Sequence, residues 1–183
     1  MKILILDTET TGLADTDRVI EIAAALYETK TKCILWQFAS LVPGERSNPV
    51  EHINQIPTAA LAETDGFYDP YEELNHYADL AEAVVAHNVS FDKRMLGAGF
   101  TSKTPWVCSM SQLVFPRAGR SKKLIHLAVD HGILAVGAHR ALGDVLMLAA
   151  LFRQAPDIED QIRRLTGKPV RGPHVQQGQR GTS

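Results

Sequence analysis

Asp7 and Glu9 stand two positions apart, Asp7 directly after the apolar run Ile3-Leu4-Ile5-Leu6. On a strand, side chains two apart share a face. Two carboxylates side by side repel each other unless a cation lies between them. A polar turn after a strand accounts for Asp7-Thr8-Glu9-Thr10-Thr11-Gly12 equally well while this segment is taken alone. His87-Asn88-Val89-Ser90-Phe91-Asp92 places a further acid in the first turn of a predicted helix. There Phe91 can pack inward and Asp92 can face the strand ends, although an acid in a first turn also suits the helix dipole. The third piece is His139-Arg140-Ala141-Leu142-Gly143-Asp144. Positions five apart on a continuous helix point about 140° apart. His139 and Asp144 therefore share a site only if His139 lies on the loop before the helix, and Gly137 favours such a loop. An exposed histidine beside a dipole-stabilising acid is the plainer alternative.

These segments need elements to carry them. Residues 3–6 are apolar without alternation, which predicts a central strand buried on both faces. Val19–Tyr27 and Cys33–Val42 add two more strands around a turn at Lys30-Thr31-Lys32, giving an antiparallel meander. Pro43, Pro49 and Pro57 predict a long loop over 43–58. Helices are expected over Thr58–Glu63 and Pro70–Leu80, with Pro70 suited to a first turn. A strand at Ala83–Ala86, a helix at Ser90–Leu96 and a strand at Trp106–Cys108 follow. Helices over Ser109–Val114, Lys122–His131, Arg140–Arg153 and Ile158–Leu165 close the order. A meander followed by crossovers is a mixed α/β sheet, and such sheets place sites where strand ends face helix starts. From Gly167 on, Gly, Pro, Gln, Ser and Arg predict a tail without a core.

Composition narrows the classes. The chain has 183 residues, 45% hydrophobic and 22% charged, which is one ordinary domain. No apolar run is long enough for a membrane helix and no signal-peptide core is present, so the expected location is the cytoplasm, with no membrane partner. Cys33 and Cys108 cannot build a disulfide framework and read as buried thiols; Trp36 and Trp106 read as core. The net charge of −2 excludes a strong basic field. Its distribution is uneven: from Gln161 on there are five basic residues and no acids, leaving 14 basic and 21 acidic side chains in the other 160 residues.

Taken together, D-x-E on a first strand, N-x-x-F-D after a later strand and H-x4-D opening a late helix resemble one family. It is the DEDDh branch of the DnaQ-like, ribonuclease H-like 3′–5′ exonucleases. Asp7, Glu9, Asp92, His139 and Asp144 fill all five signature positions, and the likeness covers roughly residues 2–155. Within the branch, Ala86–Leu96, Trp106–Met110 and Leu165–Pro169 are most similar to the exonuclease X group, whose members degrade DNA in repair. The resemblance implies a ribonuclease H-like mixed five-stranded sheet flanked by helices. It implies an exonuclease domain over residues 1–166 and a basic, polar tail over 167–183. It further implies hydrolysis from a free 3′ end to nucleoside 5′-monophosphates, assisted by two divalent cations. Hard oxygen ligands suit Mg²⁺ or Mn²⁺, and no Cys/His cluster suggests zinc. Asp7 would bridge the ions, Glu9 and Asp144 would hold the ion beside the nucleophile, Asp92 would support the second, and His139 would be the general base. Thr8, Thr10, Gly12 and Leu13 would receive the terminal nucleotide, and His87, Asn88 and Phe91 the next one.

The implied partner is nucleic acid with a free 3′ end, single-stranded DNA first, with double-stranded DNA and RNA as alternatives. Rival functions are an RNA-trimming exoribonuclease, a polymerase proofreading subunit and, from another class, a module that binds nucleic acid without cutting. Monomer and homodimer both stay open. Gly97–Thr104 approaches a phosphate-binding loop but has Ser102 where glycine is required, and it follows a helix. Arg117, Arg120, Lys122 and Lys123 read as a solvated face or as phosphate contacts beside the cleft. If the basic tail adds affinity, deleting residues 170–183 weakens oligonucleotide binding in a low-salt titration and leaves single-turnover cleavage unchanged.

Overall fold

The computed structural model describes residues 1–119, 121–135, 137 and 139–168. Strand β1 (Lys2–Thr10) runs through the middle of a five-stranded sheet of order β3-β2-β1-β4-β5. Its side chains alternate between two cores. Ile3 and Ile5 enter one, Leu4 and Leu6 the other. Apolar residues on both faces of a strand are stable only where helices cover both faces of the sheet. β2 (Val19–Glu28) and β3 (Cys33–Leu41) pair antiparallel with it in a meander, while β4 (Ala83–Ala86) and β5 (Trp106–Cys108) join parallel. The ribonuclease H-like mixed sheet expected from the sequence is the architecture observed.

The face of Ile3 and Ile5 is covered by α6 (Leu124–Asp130), α7 (Ala141–Gln154) and α8 (Ile158–Leu165). The face of Leu4 and Leu6 is covered by α3 (Pro70–Leu80) and α4 (Val89–Leu96). At the start of α3 the Asp69 carboxylate accepts the Tyr71 N–H at 2.9 Å and Pro70 holds the first turn. The short α5 (Ser109–Gln112) follows β5 directly.

Four expectations need correction. The prolines of 43–58 do not leave a plain loop: α1 (Glu51–Asn54) forms inside it and α2 (Thr58–Ala62) follows. Asn48 Nδ2 donates to Asn54 Oδ1 at 2.8 Å and to the Ile56 carbonyl at 2.7 Å. Asn54 Nδ2 in turn donates to the Thr10 carbonyl at 3.3 Å, so this buried pair of amides ties the segment to the end of β1. Neither cysteine is buried. Cys33 is exposed because β3 is an edge strand with its odd positions toward solvent, and Cys108 is half-buried at the end of β5. The tryptophans lie at the rim of the core rather than within it, Trp36 stacked on Tyr77 at 3.5 Å and Trp106 edge-on to Phe100 at 4.9 Å. The helices expected over Ser109–Val114 and Lys122–His131 are shorter at their ends. Arg120 and the tail from residue 169 lie outside the described residues.

α7 is seated by Phe152, which is fully buried and meets Tyr27 edge-on at 6.1 Å and Phe115 face-on at 6.2 Å. Phe152→Ala is expected to lower the unfolding free energy by about 3–5 kcal/mol, measured by urea denaturation.

Candidate active site

β4 pairs with β1 only at Ile3–Ile5, so the last part of β1 runs on past its parallel neighbour. Asp7 and Glu9 lie in this overhang. They continue the parity of Ile3 and Ile5 and therefore face α7. Asp144, in the first turn of α7, meets them there: one carboxylate oxygen from each of Asp7, Glu9 and Asp144 lies within 4.8 Å of the others. Asp92 arrives from α4 on the opposite face. It is buried, and Thr8 Oγ1 donates to its Oδ1 at 3.0 Å. Thr8 points the other way from its neighbours Asp7 and Glu9, which is how one strand end serves carboxylates from two layers.

The electrostatics follow from crowding and burial. Burial raises the Asp7 carboxyl well above its ordinary range, and Asp92, Asp144, Glu9 and Glu21 push in the same direction. Burial, with Asp144 and Glu21, lifts Glu9 to about 8, against the opposing charge of Arg140. Asp92 is raised by burial although Thr8 stabilises its anion. Asp144 is raised by burial and held back by His139. A cluster that resists ionising without a counter-charge, built from hard oxygen donors, suits a divalent cation of the Mg²⁺ or Mn²⁺ type. The residues present fit such an ion.

His139 is on the turn before α7, as sharing a site with Asp144 requires. It is exposed and holds a left-handed backbone, φ 63°. Leu13 is 78% exposed on the loop after β1. Thr10 Oγ1 donates to the Gly12 carbonyl at 2.6 Å. A Cβ on Gly12 would lie 2.5 Å from Asp17 Oδ2, so a side chain there displaces the Asp17 carboxylate. Asp17 organises this loop by accepting from Thr11 Oγ1 at 3.0 Å and from the Ala14 N–H at 2.7 Å. Arg94 of α4 donates to the Leu13 carbonyl at 3.1 Å, pairs with Asp15, and lies over the Phe91 ring at 5.5 Å. Asn88 is exposed at the start of α4 and accepts the Ser90 hydroxyl at 3.1 Å. His87 is different. Its Nε2–H donates to the Lys122 carbonyl at 2.7 Å, which leaves Nδ1 to accept from Ser109 Oγ at 3.0 Å. Burial favours that neutral ring. Both ring nitrogens are committed, tying the end of β4 to the start of α5 and to the chain before α6.

Sequence reasoning passed over Glu21, Arg140 and Asp17. Glu21 had a readable signal, a lone acid inside the buried run Val19–Tyr27. It pairs directly with Glu9 across the sheet. Its carboxylate accepts from Arg140 Nη2 at 2.5 Å, from Arg140 Nε at 3.1 Å and from the Ala141 N–H at 3.0 Å. Asp17 had no such signal, since a polar loop acid is commonplace.

A ribonuclease H-like sheet whose central strand ends in converging carboxylates is the arrangement of a nuclease domain. The family model described as "Exonuclease" (RNase_T) matches residues 4–152. The chain belongs to this exonuclease family, and its domain is a DnaQ-like 3′–5′ exonuclease domain. Over 159 residues, 81% of the chain, it is 26% identical to the 3′–5′ exonuclease DinG of Staphylococcus saprophyticus; the match covers 17% of that protein, so the chain spans about a sixth of this curated relative. Exonuclease X, solved with 5′-overhanging duplex DNA, superposes with a TM-score of 0.64 at 25% identity, over 92% of this chain and 95% of that one. Exonuclease I of E. coli with a dT13 oligonucleotide shares the fold, with a TM-score of 0.66 at 17% identity over 91% of this chain and 42% of that one.

Carboxyls raised in the folded state favour folding at low pH, where they are protonated, and oppose it as pH rises through their folded values. Metal-free protein is therefore expected to melt at a higher temperature near pH 6 than near pH 8.5, before general acid unfolding sets in. Mg²⁺ or Mn²⁺ is expected to stabilise it most at the upper end. Differential scanning fluorimetry across pH, after chelation, reads both trends.

Proposed function

We propose that this domain removes nucleotides one at a time from a free 3′ end, with DNA as substrate and nucleoside 5′-monophosphates as product. The observation that carries the reading is the meeting of Asp7, Glu9 and Asp144 at one strand end, beside buried Asp92. Asp7, Glu9, Asp92 and Asp144 would hold two divalent cations, Mg²⁺ or Mn²⁺. Such ions supply charge neutralisation at the phosphodiester oxygens and assistance to the departing 3′-oxygen. The chain's own groups do the rest. His139, exposed beside Asp144, accepts the proton of the attacking water as general base. Leu13, with its apolar side chain in solvent, packs on the terminal base, and the Thr8–Gly12 backbone receives the terminal sugar. Phe91 and Asn88 line the path of the next nucleotide, while His87 shapes the strand-to-helix turn from behind. The working unit spans residues 1–166, and the basic stretch beyond it adds salt-sensitive affinity.

The choice of DNA is supported by the likeness to exonuclease X over nearly its whole length. The test is a panel of 5′-labelled single-stranded DNA, duplex DNA with an overhang, and RNA, each with Mg²⁺, Mn²⁺ or EDTA. Ladders shortening from the 3′ end on DNA, abolished by EDTA and by Asp7→Ala or Asp144→Asn at unchanged circular dichroism, are expected. Faster shortening of RNA would move the substrate to RNA. If no strand is shortened, the domain binds without cutting.

A further inference from the structure

His139 sits in a backbone conformation that a residue with a side chain adopts only at a cost, φ 63°. Such a conformation persists where its surroundings over-determine it. The two residues that follow are held by a single carboxylate. Glu21, 3% exposed on β2, binds the Arg140 guanidinium through both of its oxygens and takes the Ala141 N–H at 3.0 Å. A further bond, from the Arg140 N–H to the Gly137 carbonyl at 3.1 Å, closes the turn from the other side. On its other flank α7 begins at Ala141 and carries Asp144 one turn on, with the Asp144 N–H donating to the Arg140 carbonyl at 3.2 Å. Glu21 is thus the anchor that fixes the histidine's turn and the start of α7 to the strand next to β1.

We propose that Glu21 is a positioning residue for catalysis: through Arg140 and Ala141 it holds the His139 turn in register with the carboxylates of β1, so that the general base meets the attacking water. This rests on the reading of His139 as the base. It assigns Glu21 no ligand role, because its oxygens are taken up by Arg140 and Ala141.

Glu21→Gln keeps the volume and an acceptor for Ala141 but loses the charge pair. Glu21→Asp keeps the charge and shortens the anchor, so any effect it has is geometric. Both are assayed on the full chain, using whichever 5′-labelled strand the wild type shortens, with Mn²⁺ affinity measured by calorimetry and folding by thermal melting. Should Glu21→Gln fail to fold, Glu21→Asp carries the test. The expected result, at saturating Mn²⁺, is a loss in kcat of roughly tenfold or more with oligonucleotide KM unchanged, and Glu21→Asp, which keeps the charge, leaves Mn²⁺ affinity unchanged. On a His139→Ala background the same substitution should cost nothing more, because it acts through the histidine. An additive loss on that background overturns the proposal. So does wild-type kcat in the folded Glu21 variants, or a fall in the Mn²⁺ affinity of Glu21→Asp that matches its fall in kcat. His139→Ala is measured alone in the same series. Undiminished turnover there refutes the base reading and the proposal with it. A slow His139→Ala beside silent or additive Glu21 variants refutes the Glu21 proposal only.

Discussion

Mutual repulsion among crowded carboxylates, three half-buried and one buried, is the constraint around which this domain is organised. Asp7, Glu9 and Asp144 are held closer than free carboxylates would remain, with Asp92 buried beside them. Ionising them together costs folding free energy, and the raised carboxyls record that cost. Only a rigid frame can hold such groups in place. The frame is β1, apolar on both faces and clamped between two helical layers. Its overhang past β4 then leaves the charged end without a strand on that side.

The supporting residues are those that keep flexible segments against this strand end. Asn54 reaches the Thr10 carbonyl from the segment after β3. Asp17 folds the Leu13 loop back on itself, and Arg94 latches that loop to the helix carrying Asp92. Glu21 holds the turn carrying His139. Each is a polar group bonded to backbone, and none belongs to the acidic cluster itself. The charge balance takes on a different meaning in this light. A net charge of −2 with an acidic body speaks against a broad electrostatic grip on nucleic acid. It is compatible with a grip made locally, at a strand end whose acids are arranged to hold a cation.

Most of the element order was legible because its signals are local. The unbroken apolar run at residues 3–6 marks a strand buried on both faces, and Pro70 after Asp69 marks a helix start. The misreadings have one origin, which is that burial belongs to the assembled sheet. Cys33 and Trp36 sit in an apolar stretch that looks like any core strand, yet β3 is an edge and half of it meets solvent. The prolines of 43–58 signal irregularity, but the Asn48–Asn54 bond that lets α1 form there is a tertiary closure between residues with no distinctive local pattern.

By itself the sequence determined which side chains are placed to carry chemistry. Period two sets Asp7 and Glu9 on one face, and the three acidic segments, each open to a plainer reading alone, point to one site when taken together. Whether those segments meet was decided only by tertiary structure. The reason is geometric: Asp92 and Asp144 come from helices on opposite faces, and the alternation of Asp7, Thr8 and Glu9 across one strand lets both layers converge at a single end. The role of Glu21 likewise appears only once β2 lies beside β1. A lone acid in a buried strand must find partners, but which backbone it secures depends on where the turn before α7 comes to rest.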